Sequence, residues 1–524
     1  MRARSTLAAA AIGAITIAIV AGSSATAADN SEMAKHGQGG KKPKTPIQHL
    51  VVIYQENVSF DHYFATYPKA DNPAGEPAFT AKKHTPTVNG LSGALLTNNP
   101  NATNPFRLDR SQASTCDQDH EYTAEQEAFN ALKMDKFLEF VGVGSPGCPD
   151  YGFGAGLTMG YFDGNTVTAF WNYAQHFAMN DNSFGTTFGP STPGAINLIS
   201  GNTNGANPPD LTVNGEIDTI AGSVIADPQP TGDVCTTRDN VTMSGKNIGD
   251  LLNANGVTWG FFEGGFDLTQ TNPDGSTGCK RSHTSTVTNV KKGDYIPHHQ
   301  PFQYYASTAN PNHLRPTSVS AIGTTDQANH QYDTTDFFAA LANGNMPSVS
   351  FLKAAGYQDG HAFYSDPLDE QTFVVNTINT IEKTPEWKST AIIILYDDSD
   401  GWYDHQAPQI VNGSTTDADA LNGPGKCGSG PQLGNAQGRC GYGPRLPFLV
   451  ISPYARLNFV DHSLTDQSSV LRFIEDNWKT GGIGNGSFDQ IAGKIDKMFN
   501  FERPAHAKKR ALFLDPDTGL VAGE

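Results

Sequence analysis

Ala391-Ile392-Ile393-Ile394-Leu395-Tyr396-Asp397-Asp398-Ser399-Asp400-Gly401-Trp402-Tyr403-Asp404-His405 decides how this 524-residue chain is read. The unbroken apolar run at 391–395 predicts a strand buried on both faces, as in a parallel sheet. Asp397, Asp398, Asp400 and Asp404 then crowd negative charge at the strand's carboxyl end, together with the imidazole of His405. Charge packed that closely at the mouth of a sheet needs a cation or a positive substrate to be tolerable.

A second stretch repeats the pattern. His49-Leu50-Val51-Val52-Ile53-Tyr54 is another short apolar run, and Gln55-Glu56-Asn57-Val58-Ser59-Phe60-Asp61-His62-Tyr63-Phe64 follows it. Two separate strands thus deliver hard oxygen ligands at their carboxyl ends, Glu56 and Asn57 from one and Asp397 and Asp398 from the other. Open α/β sheets bind ligands in that crevice. Carboxylate and amide oxygens with little sulfur suit a hard divalent ion. Either cluster alone would more often be a solvated acidic turn.

Outward from these runs, further strand patterns fall at 257–262, 348–352 and 447–452. Helical periodicity falls at 335–341, 369–382 and 466–478. Strands alternating with helices predict an α/β fold with a central, largely parallel sheet flanked by helices. Long Gly/Asn/Asp/Thr-rich insertions at about 200–250 and 265–330 read as excursions over the functional edge.

The first residues are not part of that core. Arg2 and Arg4 precede an apolar run at 7–20, and Ala25-Thr26-Ala27 fits a small-residue cleavage site, so 1–27 reads as a secretory signal peptide. Residues 28–45 form a polar, flexible linker, 46–504 one catalytic domain and 505–524 a weakly structured tail. No later segment is long and apolar enough for a membrane anchor. Six cysteines in an exported chain imply disulfides, and sequence proximity favours Cys116–Cys148, Cys235–Cys279 and Cys427–Cys440. None has the C-x-x-C spacing of a structural zinc site. A formal charge of −18 disfavours nucleic acid and anionic membranes as partners. The expected location is periplasmic or extracellular.

Phe188-Gly189-Pro190-Ser191-Thr192-Pro193-Gly194 sets a hydroxyl in what reads as a sharply bent, rigid turn. Beside a dication such a hydroxyl is a nucleophile. The surrounding spacing is not the G-x-S-x-G elbow of serine hydrolases. His120, His361 and the adjacent His298 and His299 lie in polar loops suited to acid/base work or phosphate contact. His62 and His405, inside the acidic clusters, read as hydrogen-bonding partners of the loops.

Glu56-Asn57-x-Ser59-Phe60-Asp61-His62-Tyr63-Phe64, Gly189-Pro190-Ser191-x-Pro193 and the Tyr396-to-His405 stretch together resemble the bacterial phosphoesterase family. That family includes non-haemolytic phospholipases C and related acid phosphatases of the alkaline phosphatase superfamily. The resemblance implies an alkaline-phosphatase-like fold. It implies one divalent metal held by Glu56, Asn57, Ser191, Asp397 and Asp398, with Ser191 as nucleophile and His120, His361 and one of His298 or His299, with His299 favoured, around the phosphate. In-line attack by Ser191 and hydrolysis of a phosphoserine follow. Serine at 191 and the Asp397-Asp398 pair resemble the acid phosphatase branch, as does the expectation that no further β-rich domain follows the catalytic region.

The expected activity is therefore a broad-specificity acid phosphatase with possible phosphodiester cleavage, acting on phosphorylated small molecules. The alternative is a phospholipase C acting on phosphatidylcholine-like head groups, with Tyr304, Tyr305 and Trp402 as candidates for an aromatic rim. A non-enzymatic exported metal-binding protein is a third reading, and it would have no need of Ser191 or the histidines. The ligand set leaves calcium, magnesium, manganese, iron and zinc open.

Overall fold

In the computed structural model, which describes residues 41–142, 144, 147–502 and 507–523, the two apolar runs lie side by side as parallel strands. The central sheet is built from β1 (His49–Gln55), β2 (Ala178–Asn180), β3 (Trp259–Glu263), β4 (Gln331–Asp333), β5 (Val349–Lys353), β6 (Thr390–Tyr396), β7 (Phe448–Ile451) and β8 (Phe459–Asp461). Their order is β4-β3-β5-β1-β6-β7-β2-β8. Every neighbouring pair is parallel except the two that β7 makes with β6 and β2.

All of β6 is buried, as a strand covered on both faces must be. Its Ile392, Ile393 and Ile394 are fully enclosed, and each such side chain contributes about 1.5–3 kcal/mol of burial. Pairing runs in register from His49 opposite Thr390 to Gln55 opposite Tyr396. The next residues on the two strands, Glu56-Asn57 and Asp397-Asp398, therefore leave the sheet together. On the other flank of β1, β5 brings its last residue, Lys353, to the same edge.

Helices cover the sheet: α1 (Tyr122–Phe129), α2 (Thr168–His176), α3 (Ser191–Ser200), α4 (Thr334–Asn343), α5 (Pro367–Glu382) and α6 (Ser469–Trp478). The Asp366 carboxylate caps α5 by accepting from the Leu368 and Asp369 N–H groups, with Pro367 in the first turn. A reciprocal Asp333–Asp336 capping box starts α4, and Gly344 ends it in the left-handed region. α6 begins at Ser469 instead of 466, because Thr465–Asp466 pairs with Ser183–Phe184 before the chain turns. The insertions at 200–250 and 265–330 are short ribbons and turns, including Ser282–Thr284 paired with Lys291–Gly293 and the helical turn Pro297–His299.

The disulfides Cys116–Cys148, Cys235–Cys279 and Cys427–Cys440 form as expected. The region expected to be a weakly structured tail is instead docked: Leu512 and Leu514 are buried. Side-chain amides of α2 and α5 donate to it, Asn379 to the Leu514 carbonyl at 2.7 Å and Asn172 to the Gly519 carbonyl at 2.9 Å. Those donors satisfy backbone carbonyls that would otherwise need water. Of the expected linker, 41–45 is described, and Thr45 is anchored through its N–H to Asn477 Oδ1 at 3.0 Å. The expected signal peptide, 1–27, lies outside the described residues. Among the described residues no helix is long and apolar enough to cross a membrane.

Candidate active site

At the end of β1 the backbone of Asn57 turns into the left-handed region (φ 50°), a conformation asparagine tolerates better than most residues. That turn aims the Asn57 N–H at Asp397 Oδ1, 3.1 Å away. Asp398 N–H donates to the same oxygen at 2.9 Å. Gln467 Nε2 donates to the Asp397 and Tyr396 carbonyls, fixing the acidic turn from below. The two clusters recognised in the sequence are thus one structure.

Ser191 is the first residue of α3, with Pro190 as its N-cap. The sequence predicts a turn there; the structure instead puts Ser191 at a helix N-terminus, where the first-turn N–H groups and the helix dipole favour negative charge. Its Oγ donates to Glu56 Oε2 at 3.0 Å or to Asp398 Oδ2 at 3.3 Å. α3 rests on the acidic turn through Gly194: a Cβ there would come within 2.3 Å of the Asp397 carbonyl oxygen. Only glycine lets the helix approach so closely.

A buried carboxylate on α1 ties the two turns together. Glu125 Oε2 accepts from Gly189 N–H at 3.1 Å, and its Oε1 accepts from the Ser399 hydroxyl at 2.7 Å. Gly189 stands two residues before Ser191, and Ser399 follows Asp398.

Three histidines surround these oxygens. His120 Nδ1 lies 2.8 Å from the Gln118 carbonyl, which turns Nε2 toward Asn57 Nδ2 at 3.3 Å. His361 Nδ1 bonds to the Ala362 carbonyl at 2.7 Å, with its ring 5.9 Å from that of His120. His299 Nδ1 stands 3.3 Å from Glu56 Oε1 and 3.9 Å from Asp359 Oδ2. Its neighbour His298 turns away, toward Asp227 at 3.9 Å and Arg238 Nη2 at 3.3 Å. The structure thus separates the adjacent pair and brings His299 to the oxygen cluster.

Lys353 carries the fixed positive charge of the cluster. Its buried ammonium bonds Glu56 Oε1 and lies 3.5 Å from Asp397 Oδ2. The surrounding carboxylates hold it protonated, against the burial that would lower its pKa. One ammonium does not balance Glu56, Asp359, Asp397, Asp398 and Asp400. Burial first, and mutual repulsion after it, pushes Glu56 and Asp359 well above the usual carboxylate range. Asp398 and Asp400 are lifted in the same way. For His120 burial works downward, but Asp398, Asp400 and Asp117 overrule it and raise the imidazole well above its ordinary value. His361, by contrast, is lowered by burial to about 4.

A site so short of positive charge fits a divalent cation, and two atoms make the fit specific. Asn57 Oδ1 and Asp397 Oδ2 are buried and accept no hydrogen bond. An orphaned amide oxygen, together with a carboxylate oxygen met only by the Lys353 ammonium at 3.5 Å, is what a hard cation satisfies. The Glu56, Asn57, Ser191, Asp397 and Asp398 oxygens would hold it. Asp233, Cys235 and His313 also cluster, but Cys235 is tied up in its disulfide.

The remaining expectations divide. His405 Nδ1 bonds Asp61 Oδ2 at 2.6 Å and His62 Nδ1 bonds the Gly160 carbonyl at 2.8 Å, both as loop partners. The proposed aromatic rim is corrected: Tyr304, Tyr305 and Trp402 are at most 2 % exposed. Trp402 stacks on His62 at 3.9 Å, and the Tyr305 hydroxyl bonds Ser200 Oγ at 3.1 Å. Sequence reasoning missed Lys353, Asp359 and Glu125. Lys353 carried a signal, since it follows the strand pattern at 348–352 as Glu56 and Asp397 follow theirs.

The Phosphoesterase family model matches residues 47–481. Phospholipase C A of Mycobacterium tuberculosis is 23% identical over 484 residues, covering 89% of this chain and 80% of that protein. Non-hemolytic phospholipase C of Pseudomonas aeruginosa is 24% identical, covering 87% of this chain and 58% of its own length. Non-specific phospholipase C6 of Arabidopsis thaliana is 23% identical, covering 74% and 60%. Among solved structures, a protein in the alkaline phosphatase superfamily from Vibrio parahaemolyticus overlaps 60% of each chain at 12% identity and a TM-score of 0.26. Murine ectonucleotide pyrophosphatase/phosphodiesterase 5 overlaps 64% of this chain and 95% of its own at 10% identity and a TM-score of 0.30. Overlaps that low do not bear on the site.

Proposed function

This chain belongs to the phosphoesterase family and is a hydrolase of phosphoric esters, and on that premise we propose that it is an exported, metal-dependent phosphatase of broad specificity working through a phosphoserine at Ser191. The observation that carries this reading is the placement of the Ser191 hydroxyl between the Glu56 and Asp398 carboxylates at the N-terminus of α3. A structural cation site alone would have no use for a hydroxyl held there.

The residues present divide the work. The Ser191 Oγ–P bond forms as the bond from phosphorus to the ester oxygen breaks, in line. The serine proton passes to the carboxylate it already faces, and His120, the protonated imidazole, donates a proton to the leaving oxygen. His120, raised by its carboxylates, is the imidazolium positioned to offset charge on the equatorial oxygens. His299 and His361, pushed down by burial, are neutral near pH 7 and suited to taking a proton from the water that hydrolyses the phosphoserine. A divalent ion held by Glu56, Asn57, Ser191, Asp397 and Asp398 supplies Lewis-acid stabilisation of the developing negative charge. The disulfides and the amino-terminal pattern support export.

A phospholipase C activity is the second reading, favoured by the names of the relatives. Purified protein assayed on p-nitrophenyl phosphate and p-nitrophenyl phosphorylcholine separates the two. Faster monoester turnover, abolished by Ser191→Ala and by EDTA, is the expected result. Preference for the choline diester would favour the phospholipase, and full activity in Ser191→Ala would overturn the nucleophile.

A further inference from the structure

Lys292 is a cation beside the site that the chemistry above leaves unused. It lies in the ribbon Ser282–Thr284/Lys291–Gly293, opposite His283, a few residues before His299. The ribbon packs against Gly356, where a Cβ would come 2.9 Å from Lys292 Cγ and 2.6 Å from the Gly293 carbonyl. The missing side chain at 356 is therefore what seats the lysine stem. Its ammonium then rests 3.5 Å from the centroid of the Tyr364 ring.

Tyr364 belongs to the wall of the site. Its ring stacks on His361 at 4.4 Å, and its hydroxyl donates to Asp359 Oδ2 at 3.2 Å, the oxygen facing His299. Burial lowers the Lys292 ammonium from its ordinary value while Asp359, Glu56 and Asp117 pull it back up, and its charge helps to depress His298, His299 and His361. On the other flank stands Arg238. Its Nη2 donates to the Asp227 carbonyl at 2.8 Å and lies 3.3 Å from His298 Nδ1. Asp227 Oδ1 in turn accepts from the N–H of Thr192, the residue after the nucleophile, at 2.8 Å. Lys292 thus stands behind His361 through Tyr364, and Arg238 stands against His298, on the side turned away from the oxygen cluster.

Their arrangement has a consequence for substrate choice. A quaternary ammonium head group is held by aromatic faces. Tyr364 is buried, with His361 stacked on its ring and the Lys292 ammonium over it, so the ring leaves no free face for a second cation, which would also meet a like charge. A phosphate monoester, with two negative charges on its terminal oxygens near neutral pH, gains from the same charge.

We propose that Lys292 sets the charge class of the substrate: seated on Tyr364, it selects anionic phosphomonoesters and excludes esters bearing a quaternary ammonium group. The proposal rests on the phosphoesterase reading of Ser191 and deepens it.

The test compares kcat/KM for p-nitrophenyl phosphate and p-nitrophenyl phosphorylcholine in the metal-loaded wild type, Lys292→Met and Lys292→Arg. Lys292→Met is expected to lower monoester kcat/KM about tenfold, the order for one lost and partly screened charge contact, while the choline diester holds or gains. Lys292→Arg restores the monoester preference. A measurement on unmutated protein accompanies these: inorganic phosphate is expected to inhibit competitively, and tetramethylammonium not to inhibit. An unchanged ratio, a parallel fall on both substrates, or inhibition by tetramethylammonium overturns the assignment of Lys292. A wild type that cleaves neither substrate overturns the phosphoesterase reading beneath it.

Discussion

Replacing Glu125 tests whether the nucleophile and the acidic turn are held in one frame. Its carboxylate is 1 % exposed and satisfies two donors that nothing else in the contacts described above satisfies, the Gly189 N–H and the Ser399 hydroxyl. Glu125→Ala leaves both buried and unmet, at about 1–3 kcal/mol each. The two turns then relax independently. A nucleophile displaced by about 1 Å from its line of attack costs on the order of a hundredfold in rate. Glu125→Gln is different: its carbonyl can accept from Gly189, and its amide can donate to Ser399, whose hydroxyl also accepts. The Ala variant is therefore expected to lose about a hundredfold in kcat on p-nitrophenyl phosphate, and the Gln variant to stay within about tenfold of wild type. Steady-state kinetics with metal content measured in parallel distinguish lost positioning from lost metal. Burial lifts Glu125 to about 7, with Ser399 and Gly189 pulling back, from an ordinary 4.5. A raised carboxylate contributes its stability below the unfolded pKa and loses it as pH rises through the folded one. The Gln variant, which cannot ionise, should thus gain in melting temperature relative to wild type between about pH 4.5 and 7. The reasoning is refuted if Glu125→Ala keeps wild-type kcat, or if Gln is as damaging as Ala.

Two further perturbations probe the charge framework. Arg445 is fully buried and bonds both Asp404 oxygens through Nε at 3.1 Å and Asp61 Oδ1 through Nη2 at 3.0 Å. Arg445→Met should destabilise the protein by about 3–5 kcal/mol at neutral pH, because Asp404 stays buried without its cation and Asp61 is left with His405 alone. Burial already raises Asp404 to about 6 against the opposing pull of Arg445, and losing that pull raises it further. The deficit, measured by denaturant unfolding, should therefore shrink as pH falls toward 6, where the variant's carboxyl has already taken up its proton, and level off below it. A deficit independent of pH would contradict this. Lys353→Met removes the ammonium from Glu56 and Asp397. The metal-free protein should melt lower, and a divalent ion should raise its melting temperature by more than it raises that of wild type. Equal metal-induced shifts would mean that Lys353 and the ion do not serve the same charge.

Much of the fold was legible because its central strands are buried on both faces, and continuous apolar runs are hard to place otherwise. The short outer strands were not: Ala178–Asn180, Gln331–Asp333 and Phe459–Asp461 are three residues each, too short to show a period. The sequence predicts a turn at Ser191 because Gly-Pro-Ser-Thr-Pro-Gly is dense in turn formers. The opposite signal was present as well, with proline at the start of the segment and Gly201 ending the helix in the left-handed region. The aromatic rim failed for a different reason, since composition does not say whether Trp402 faces solvent or stacks on His62.

The cation site shows where such reading stops. Sequence position placed Glu56 and Asp397 at strand ends, and the in-register pairing of β1 with β6 converts that into adjacency. What no linear pattern carries is the balance of charge once those groups lose water. Lys353 is one residue among 35 lysines and arginines in the sequence, yet its burial against Glu56 makes it weigh as heavily as any carboxylate around it. The acidic residues were countable from the start. The deficit that favours a divalent ion appears only when burial raises Glu56, Asp397 and Asp398 together, with one fixed ammonium and one raised imidazole facing them.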